Sequence, residues 1–246
     1  MSKNDFEFIT PDWPAPRNIK ALSTIRSGGV STGPYATLNL GDHVGDNPQA
    51  VAANRALIGQ HAPMEPLWLT QVHGKTVVNA ACTCPHAEAD AAFTRMAYRI
   101  CAIMTADCLP VLFCDIHGTA VGAAHAGWRG LNAGVLEATV KAMQTPPGEI
   151  LAWLGPAIGP NAFEVGPEVR AAFVAQDHAA ESAFRPSAND GKWLANLYQL
   201  ARQRLSACGV TQIYGGDRCT FTEHETFFSY RRDGVTGRMA SMIWFE

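Results

Sequence analysis

With 246 residues, 47% of them hydrophobic and 17% charged, the chain can bury a sizeable core, and its composition excludes disorder. A net charge of −3, from 19 basic and 22 acidic residues with no basic run, argues against a nucleic-acid binder. No apolar run approaches the roughly 18 residues that span a membrane, and seven irregularly spaced cysteines read as reduced thiols in the cytoplasm, not as a disulfide framework.

The opening MSKNDFEFITPDWP has no apolar run behind its early lysine, so no secretory signal is expected. The first twenty residues hold three prolines and are expected to lie over the surface until a strand begins near Ile19. Arg26 precedes a glycine-rich loop, Ser27-Gly28-Gly29-Val30-Ser31-Thr32-Gly33-Pro34-Tyr35. Such a loop can cradle phosphate, but it lacks the GxxxxGK[ST] pattern and has no helix pattern directly behind it, so it reads more readily as a turn. Asp46-Asn47-Pro48 starts a helix to about Gly59, with proline near the first helical position. Leu67 to Val72 reads as a strand whose tip is His73-Gly74. Ala81-Cys82-Thr83-Cys84-Pro85-His86 looks metal-like, yet no second CxxC supports it, so an exposed loop is expected.

The stretch from Ala102 to Gly130 carries most of the chemistry. Asp107-Cys108 precedes an apolar run, the chain turns at Asp115-Ile116-His117-Gly118, and small residues return to His125. With Ile116-His117 as a two-residue loop, Cys108 faces His125 directly, Cβ atoms roughly 5 Å apart. A slip of one residue would place them on opposite faces. Gly127-Trp128-Arg129-Gly130 follows, then a helical pattern from Leu131 to Met143. An arginine beside exposed N–H groups at a helix start suits an anion.

Further on, Ile150 to Leu154 is a buried strand closed by Gly155-Pro156-Ala157-Ile158-Gly159-Pro160. A helix is expected from Gly166-Pro167-Glu168 to about Asp177, and another over Lys192 to Cys208, capped by Gly209. Strands are expected over Val210 to Tyr214, Phe227 to Tyr230 and Arg238 to Phe245, the last two joined by a polar turn holding Arg231 and Arg232. No linker or repeat divides the chain, and strands and helices do not alternate as βαβ units. One α+β domain over residues 1–246 is expected.

Imidazole, thiolate and imidazole from His73, Cys108 and His125 form a plausible ligand set for zinc, with a fourth position left for water or substrate. Asp107, beside Cys108, is placed to move a proton or orient a ligand. Two other readings stand beside this one: a Cys108 thiolate activated by His125 in a hydrolase, and an inert buried thiol. Spacing alone leaves all three open.

The assembled motifs resemble the YfiH-like, laccase-domain family, whose members carry the labels polyphenol oxidase and purine nucleoside phosphorylase. The resemblance runs through Arg26-Ser27-Gly28-Gly29-Val30-Ser31, Leu38-Asn39-Leu40-Gly41, His43-Val44-Gly45-Asp46 and Gln71-Val72-His73-Gly74. It continues through Thr105-Ala106-Asp107-Cys108-Leu109-Pro110, His125-Ala126-Gly127-Trp128-Arg129-Gly130, Gly155 to Pro160, and Phe228-Ser229-Tyr230-Arg231-Arg232-Asp233. It implies a four-layer α/β/β/α sandwich of mixed β-sheets, similar in shape to a cysteine-hydrolase fold, with His73, Cys108 and His125 holding zinc or copper. It also implies phosphorolysis of purine nucleosides (adenosine, inosine, methylthioadenosine), with adenosine deamination as a further activity. On that reading Arg26, Arg129 and Arg231 are candidates to hold phosphate, and Trp128, Tyr35 or Phe228 to pack the purine. Alternatives are a cysteine-type amide hydrolase acting through Cys108 and His125, for instance on a cell-wall precursor, and a copper polyphenol oxidase. The eight histidines include no HxH pair, which speaks against a multicopper cluster. One departure is Asn196, where an acidic residue is expected in relatives. The sequence specifies no oligomeric state.

Overall fold

In the computed structural model, which describes residues 7–246, the elements in chain order begin with β1 (Phe8–Ile9), β2 (Ile19–Thr24), α1 (Pro48–Gly59), β3 (Val77–Asn79), β4 (Ala91–Thr94) and β5 (Cys101–Thr105). The central hairpin and its helices follow as β6 (Leu109–Asp115), β7 (Val121–Ala126), α2 (Trp128–Ala133) and α3 (Val135–Met143). Next come β8 (Ile150–Leu154), β9 (Glu164–Val165), α4 (Pro167–Val174), β10 (Phe184–Pro186) and β11 (Trp193–Ala195). The chain ends with α5 (Leu197–Ala207), β12 (Gln212–Gly215), α6 (Tyr230–Asp233) and β13 (Met239–Phe245). The fold is mixed α+β. The expectation for Met1 to Phe6 lies outside the described residues.

A six-stranded mixed sheet in the order β12-β8-β6-β7-β4-β3 faces an antiparallel four-stranded sheet, β1-β2-β13-β5, and β10-β11-β9 form a small third sheet. Sequence alternation shows how the two large sheets bury both faces. Leu112, Cys114, Val121 and Ala123 meet Ile103 and Ile243 between the sheets. Their neighbours Val111, Phe113 and Ala124 point the other way, onto Leu136 and Val140 of α3 and Leu200 and Leu205 of α5. Beyond the four-stranded sheet, Ala102, Met104, Met242 and Trp244 pack with Ile58 of α1. Burial on both faces is why β6 reads as an unbroken apolar run.

The central hairpin differs from expectation in a way that matters. Asp115 N–H bonds to the Ala120 carbonyl, and the register pairs Leu109 with Ala126 and Pro110 with His125. The loop therefore holds four residues, and its last position is clamped by Asp115, whose carboxylate accepts from the Thr119 and Ala120 N–H groups. Continued by one residue, the register sets Cys108 opposite Gly127, diagonal to His125. Because the shift is two residues, Cys108 and His125 keep the same face.

Four other elements depart from the sequence reading. Leu67 to Val72 makes only isolated bridges, Leu67 to Cys101 and Thr70 to Glu88; Gln71 instead uses its amide, bonding both Met104 N–H and Met104 carbonyl at 2.8 Å. The helix over Leu131 to Met143 starts earlier, at Trp128, and is divided at Gly134, which is left-handed at φ 95°. Lys192 to Cys208 is β11 followed by α5, because the Asn196 side chain accepts from Gln199 N–H and starts the helix there. Phe227 and Phe228 are buried in a loop, not a strand, and Ser229 caps α6. The strands β1, β3, β4, β9 and β10, of two to four residues, are too short to carry a sequence signal, and β5, five residues long and buried throughout, shows no alternation that marks it.

Candidate metal centre

The end of the space between the two large sheets, where β5 ends, β13 begins and the β6–β7 hairpin opens, holds a cavity of about 420 Å³. That volume lies in the range of small-molecule sites. His43, Gln71, His73, Met104, Thr105, Ala106, Cys108, His125, Tyr230 and Arg238 line it. His73, Cys108 and His125 each offer a ligand atom there, and all three atoms lie within 4.8 Å of one another. Cys108 Sγ is 4.0 Å from His73 Nε2, and the two imidazole rings meet edge to face with centroids 4.8 Å apart. Tetrahedral ligands at ordinary zinc distances stand about 3.5 Å from one another. Side-chain adjustments of about 1 Å therefore let the trio share one ion, and a thiolate with two imidazoles is a donor set that zinc or copper accepts.

The local backbone is built for this convergence. Gly127 opposes Cys108, and a Cβ there would come within 3.0 Å of Cys108 Sγ and 3.1 Å of His73 Cδ2. His73 itself is left-handed at φ 61°, an uncommon conformation for a residue with a Cβ. Buried Asp90 holds it there, accepting from His73 N–H at 2.9 Å and Gly74 N–H at 2.6 Å. The same carboxylate lies 2.8 Å from His125 Nδ1.

Charge is coupled through this group. Burial pushes the Cys108 thiol up, but the attraction of His125, with hydrogen bonds from His125 and His73, outweighs it and holds the thiol below its ordinary value. For His125, burial disfavours the cation, while the Cys108 charge and the Asp90 hydrogen bond more than compensate and raise its proton affinity. Burial likewise opposes ionisation of Asp90, and His125 with the Gly74 and His73 N–H groups reverses that and lowers it.

The remaining sequence candidates fall elsewhere. Asp107 is left-handed at φ 87° and faces away from the trio, its carboxylate accepting from Thr220 Oγ1 and from Arg231 N–H, each at 2.6 Å. Arg26 braces the glycine-rich loop, donating to the Ala36 and His224 carbonyls and lying over Phe228. Arg129 is exposed on α2 over the ring of Trp128, and Trp128 packs against the core beneath α3. Arg231 reaches the Glu164 carbonyl, 2.7 Å away. None of these five lines the cavity. Phe228 is fully buried, and Tyr35 donates its hydroxyl to the Val44 carbonyl.

The cation that does line the cavity is Arg238. Its backbone N–H donates to Asn39 Oδ1, its guanidinium donates to the Thr236 and Gly237 carbonyls, and its stem crosses Gly41, where a Cβ would come within 2.8 Å of Cγ. Burial lowers its proton affinity while nearby Cys108 and Asp107 favour the charge, and a guanidinium stays charged in any case. Arg238 stands in a polar approach to an apolar strand, which is the one signal that could have found it; Asp90, inside Ala87-Glu88-Ala89-Asp90-Ala91-Ala92-Phe93, offers none.

Residues 20–246 match the family model described as multi-copper polyphenol oxidoreductase laccase. The chain is 58% identical over 242 residues to the Escherichia coli protein named purine nucleoside phosphorylase YfiH, covering 97% of this chain and 98% of that one. It is 55% identical over 241 residues to the Haemophilus influenzae protein named purine nucleoside phosphorylase, covering 97% and 99%. Among solved structures, that of Neisseria meningitidis protein NMB0706 superposes with a TM-score of 0.95 at 55% identity, covering 97% of this chain and 99% of that one. YlmD from Geobacillus stearothermophilus gives a TM-score of 0.88 at 31% identity, covering 100% and 98%.

Proposed function

The chain belongs to the multi-copper polyphenol oxidoreductase laccase family, and we propose that it is a metal-dependent purine nucleoside phosphorylase acting on adenosine, inosine and methylthioadenosine. The observation that carries this reading is that His73, Cys108, His125 and Arg238 line one cavity. Relatives that share more than half their residues with this chain over nearly the full length are named for that activity. In phosphorolysis a phosphate oxygen bonds to the anomeric carbon as the carbon–nitrogen bond breaks, and the purine leaves with the electron pair and takes a proton. Arg238 supplies the cation that holds phosphate against that carbon. Tyr230, 60% exposed on the cavity rim, offers a ring face for the purine, and His43 is an imidazole within reach of the leaving base. His73, Cys108 and His125 would hold zinc, or copper in its place, and the ion would supply Lewis-acid stabilisation of negative charge. Deamination of adenosine in the same cavity is a second activity we assign to it.

Three donors fit one ion, and they are the single such group among the described residues, which favours the phosphorylase over a copper cluster that oxidises phenols. One observation favours a second reading: Asp90, His125 and Cys108 form a carboxylate–imidazole–thiol relay suited to amide hydrolysis. We read the layering of sheets and helices as one domain of the α/β/β/α type. The seven cysteines are unpaired, which suits the cytoplasm; among the described residues no helix is long and apolar enough to cross a membrane.

The test is product identity. Purified protein with inosine and phosphate should yield hypoxanthine and ribose 1-phosphate, read by phosphorus NMR, and with adenosine should yield adenine and some inosine. Free ribose formed without phosphate would sink the phosphorylase, and activity on an amide, lost to thiol alkylation and indifferent to chelators, would establish the hydrolase.

A further inference from the structure

The structure assigns to Asp90 the part of positioning residue for the metal centre: one buried carboxylate decides which nitrogen of His125 faces the cavity and holds the turn that presents His73. This rests on reading His73, Cys108 and His125 as metal ligands.

Asp90 precedes β4, whose register pairs Ala91 with Ala124, so Asp90 and His125 are cross-strand partners. Their backbones are tied by a bond from His125 N–H to the Asp90 carbonyl, 2.7 Å long. The carboxylate is fully buried, and each oxygen has two partners. Oδ1 meets His73 N–H and His125 Nδ1; Oδ2 meets Val72 N–H and Gly74 N–H. A carboxylate facing these groups only accepts. His125 Nδ1 must therefore carry a hydrogen, and Nε2 is the nitrogen left to bind an ion. The three N–H bonds from residues 72 to 74 act on the other ligand. They fix consecutive peptides around His73 in its left-handed conformation, which a free chain populates rarely. A single side chain thus sets two of three ligands, reaching one through its ring and the other through its backbone.

Asp90→Asn separates this part from mere bulk. The amide is nearly the same size, but its NH₂ must replace one oxygen. At the Oδ2 position it would face two backbone donors. At the Oδ1 position it faces one donor and His125 Nδ1, which can accept if the ring proton moves to Nε2. The variant is therefore driven to the tautomer that cannot ligate through Nε2.

The experiment measures zinc affinity of the full chain by competition with a chromophoric chelator, with nitrogen-15 NMR of the histidine rings in parallel. Wild type should bind one zinc per chain, with His125 protonated at Nδ1 in the loaded state. D90N should bind zinc 10- to 100-fold more weakly, with its His125 proton on Nε2. Zinc affinity of D90N within threefold of wild type would overturn the assignment, as would a loaded wild type whose His125 ligates through Nδ1. Should D90N fail to fold, the wild-type spectrum decides alone. A wild type that binds no zinc would instead refute the ligand reading on which the assignment stands.

Discussion

Truncating Asn54 to alanine should loosen the loop that carries Asn39 and, through it, Arg238. Asn54 lies fully buried on α1 and faces the segment from Val30 to Asn39. Its Oδ1 accepts from Val30 N–H at 2.8 Å, and its Nδ2 donates to Ser31 Oγ, the Thr37 carbonyl and the Asn39 carbonyl. Ser31 keeps a bond to Asp46, and the Thr37 carbonyl keeps one from Ser31 N–H. The carbonyl of fully buried Asn39 loses its partner, whereas the N–H of Val30, an exposed residue, is left to water. An orphaned buried polar group costs about 1–3 kcal/mol, and the Asn39 carbonyl is the one such group, so the loss is about 2 kcal/mol. In a chain of this size that corresponds to a fall in Tm of roughly 4–8 °C. Urea denaturation and thermal melting measure the loss. The linked effect is functional: Asn39 Oδ1 receives Arg238 N–H, so KM for phosphate should rise several-fold while KM for the nucleoside moves less. A stability loss below about 1 kcal/mol with an unchanged phosphate KM would refute the claim that this network positions the cation.

Arg238→Met should lower kcat/KM for phosphate by roughly 10- to 100-fold, the worth of a charge-assisted hydrogen bond, whereas Arg129→Ala, exposed on α2, should change it less than threefold; steady-state kinetics with varied phosphate decides, and the reverse ranking would return the anion site to α2. Gly127→Ala places a methyl 3.0 Å from Cys108 Sγ and should weaken metal binding with modest change in unfolding free energy, measured by chelator competition beside urea melts. In metal-free protein the attraction of His125 holds Cys108 below the ordinary thiol range, so its thiolate persists as pH falls to neutrality. Iodoacetamide at pH 7 should therefore modify Cys108 faster than exposed Cys82, followed by peptide mass spectrometry, and zinc should protect it; equal rates would contradict that ionisation.

How much of this was legible in the sequence follows from what strand parity preserves. The hairpin loop has four residues where two were read, yet Cys108 and His125 stay on one face because a two-residue shift returns every side chain to its side. His73 was legible because a glycine follows it at a turn, although the strand before it is absent and Gln71 stands in for the ladder. Asp90 was not legible: an acid between alanines carries no periodic or turn signal, and its importance comes from two segments meeting around it. Arginines beside recognisable motifs drew the phosphate role to Arg26, Arg129 and Arg231, while chain crossing brings Arg238 to the cavity. Asn196, unusual by family resemblance, reads as a helix cap, a place an aspartate fills equally well. The helix expected from Lys192 overran because the apolar period includes Leu194, which belongs to β11.

The most direct test of the central claim is metal titration of phosphate-dependent base release from inosine. Chelator-stripped protein should be inactive, and zinc should restore the rate in proportion, reaching a plateau at one equivalent per chain, as three converging donors require. Stripped protein that retains its full rate, or a plateau that needs several ions per chain, would contradict a single-ion phosphorylase built on His73, Cys108 and His125.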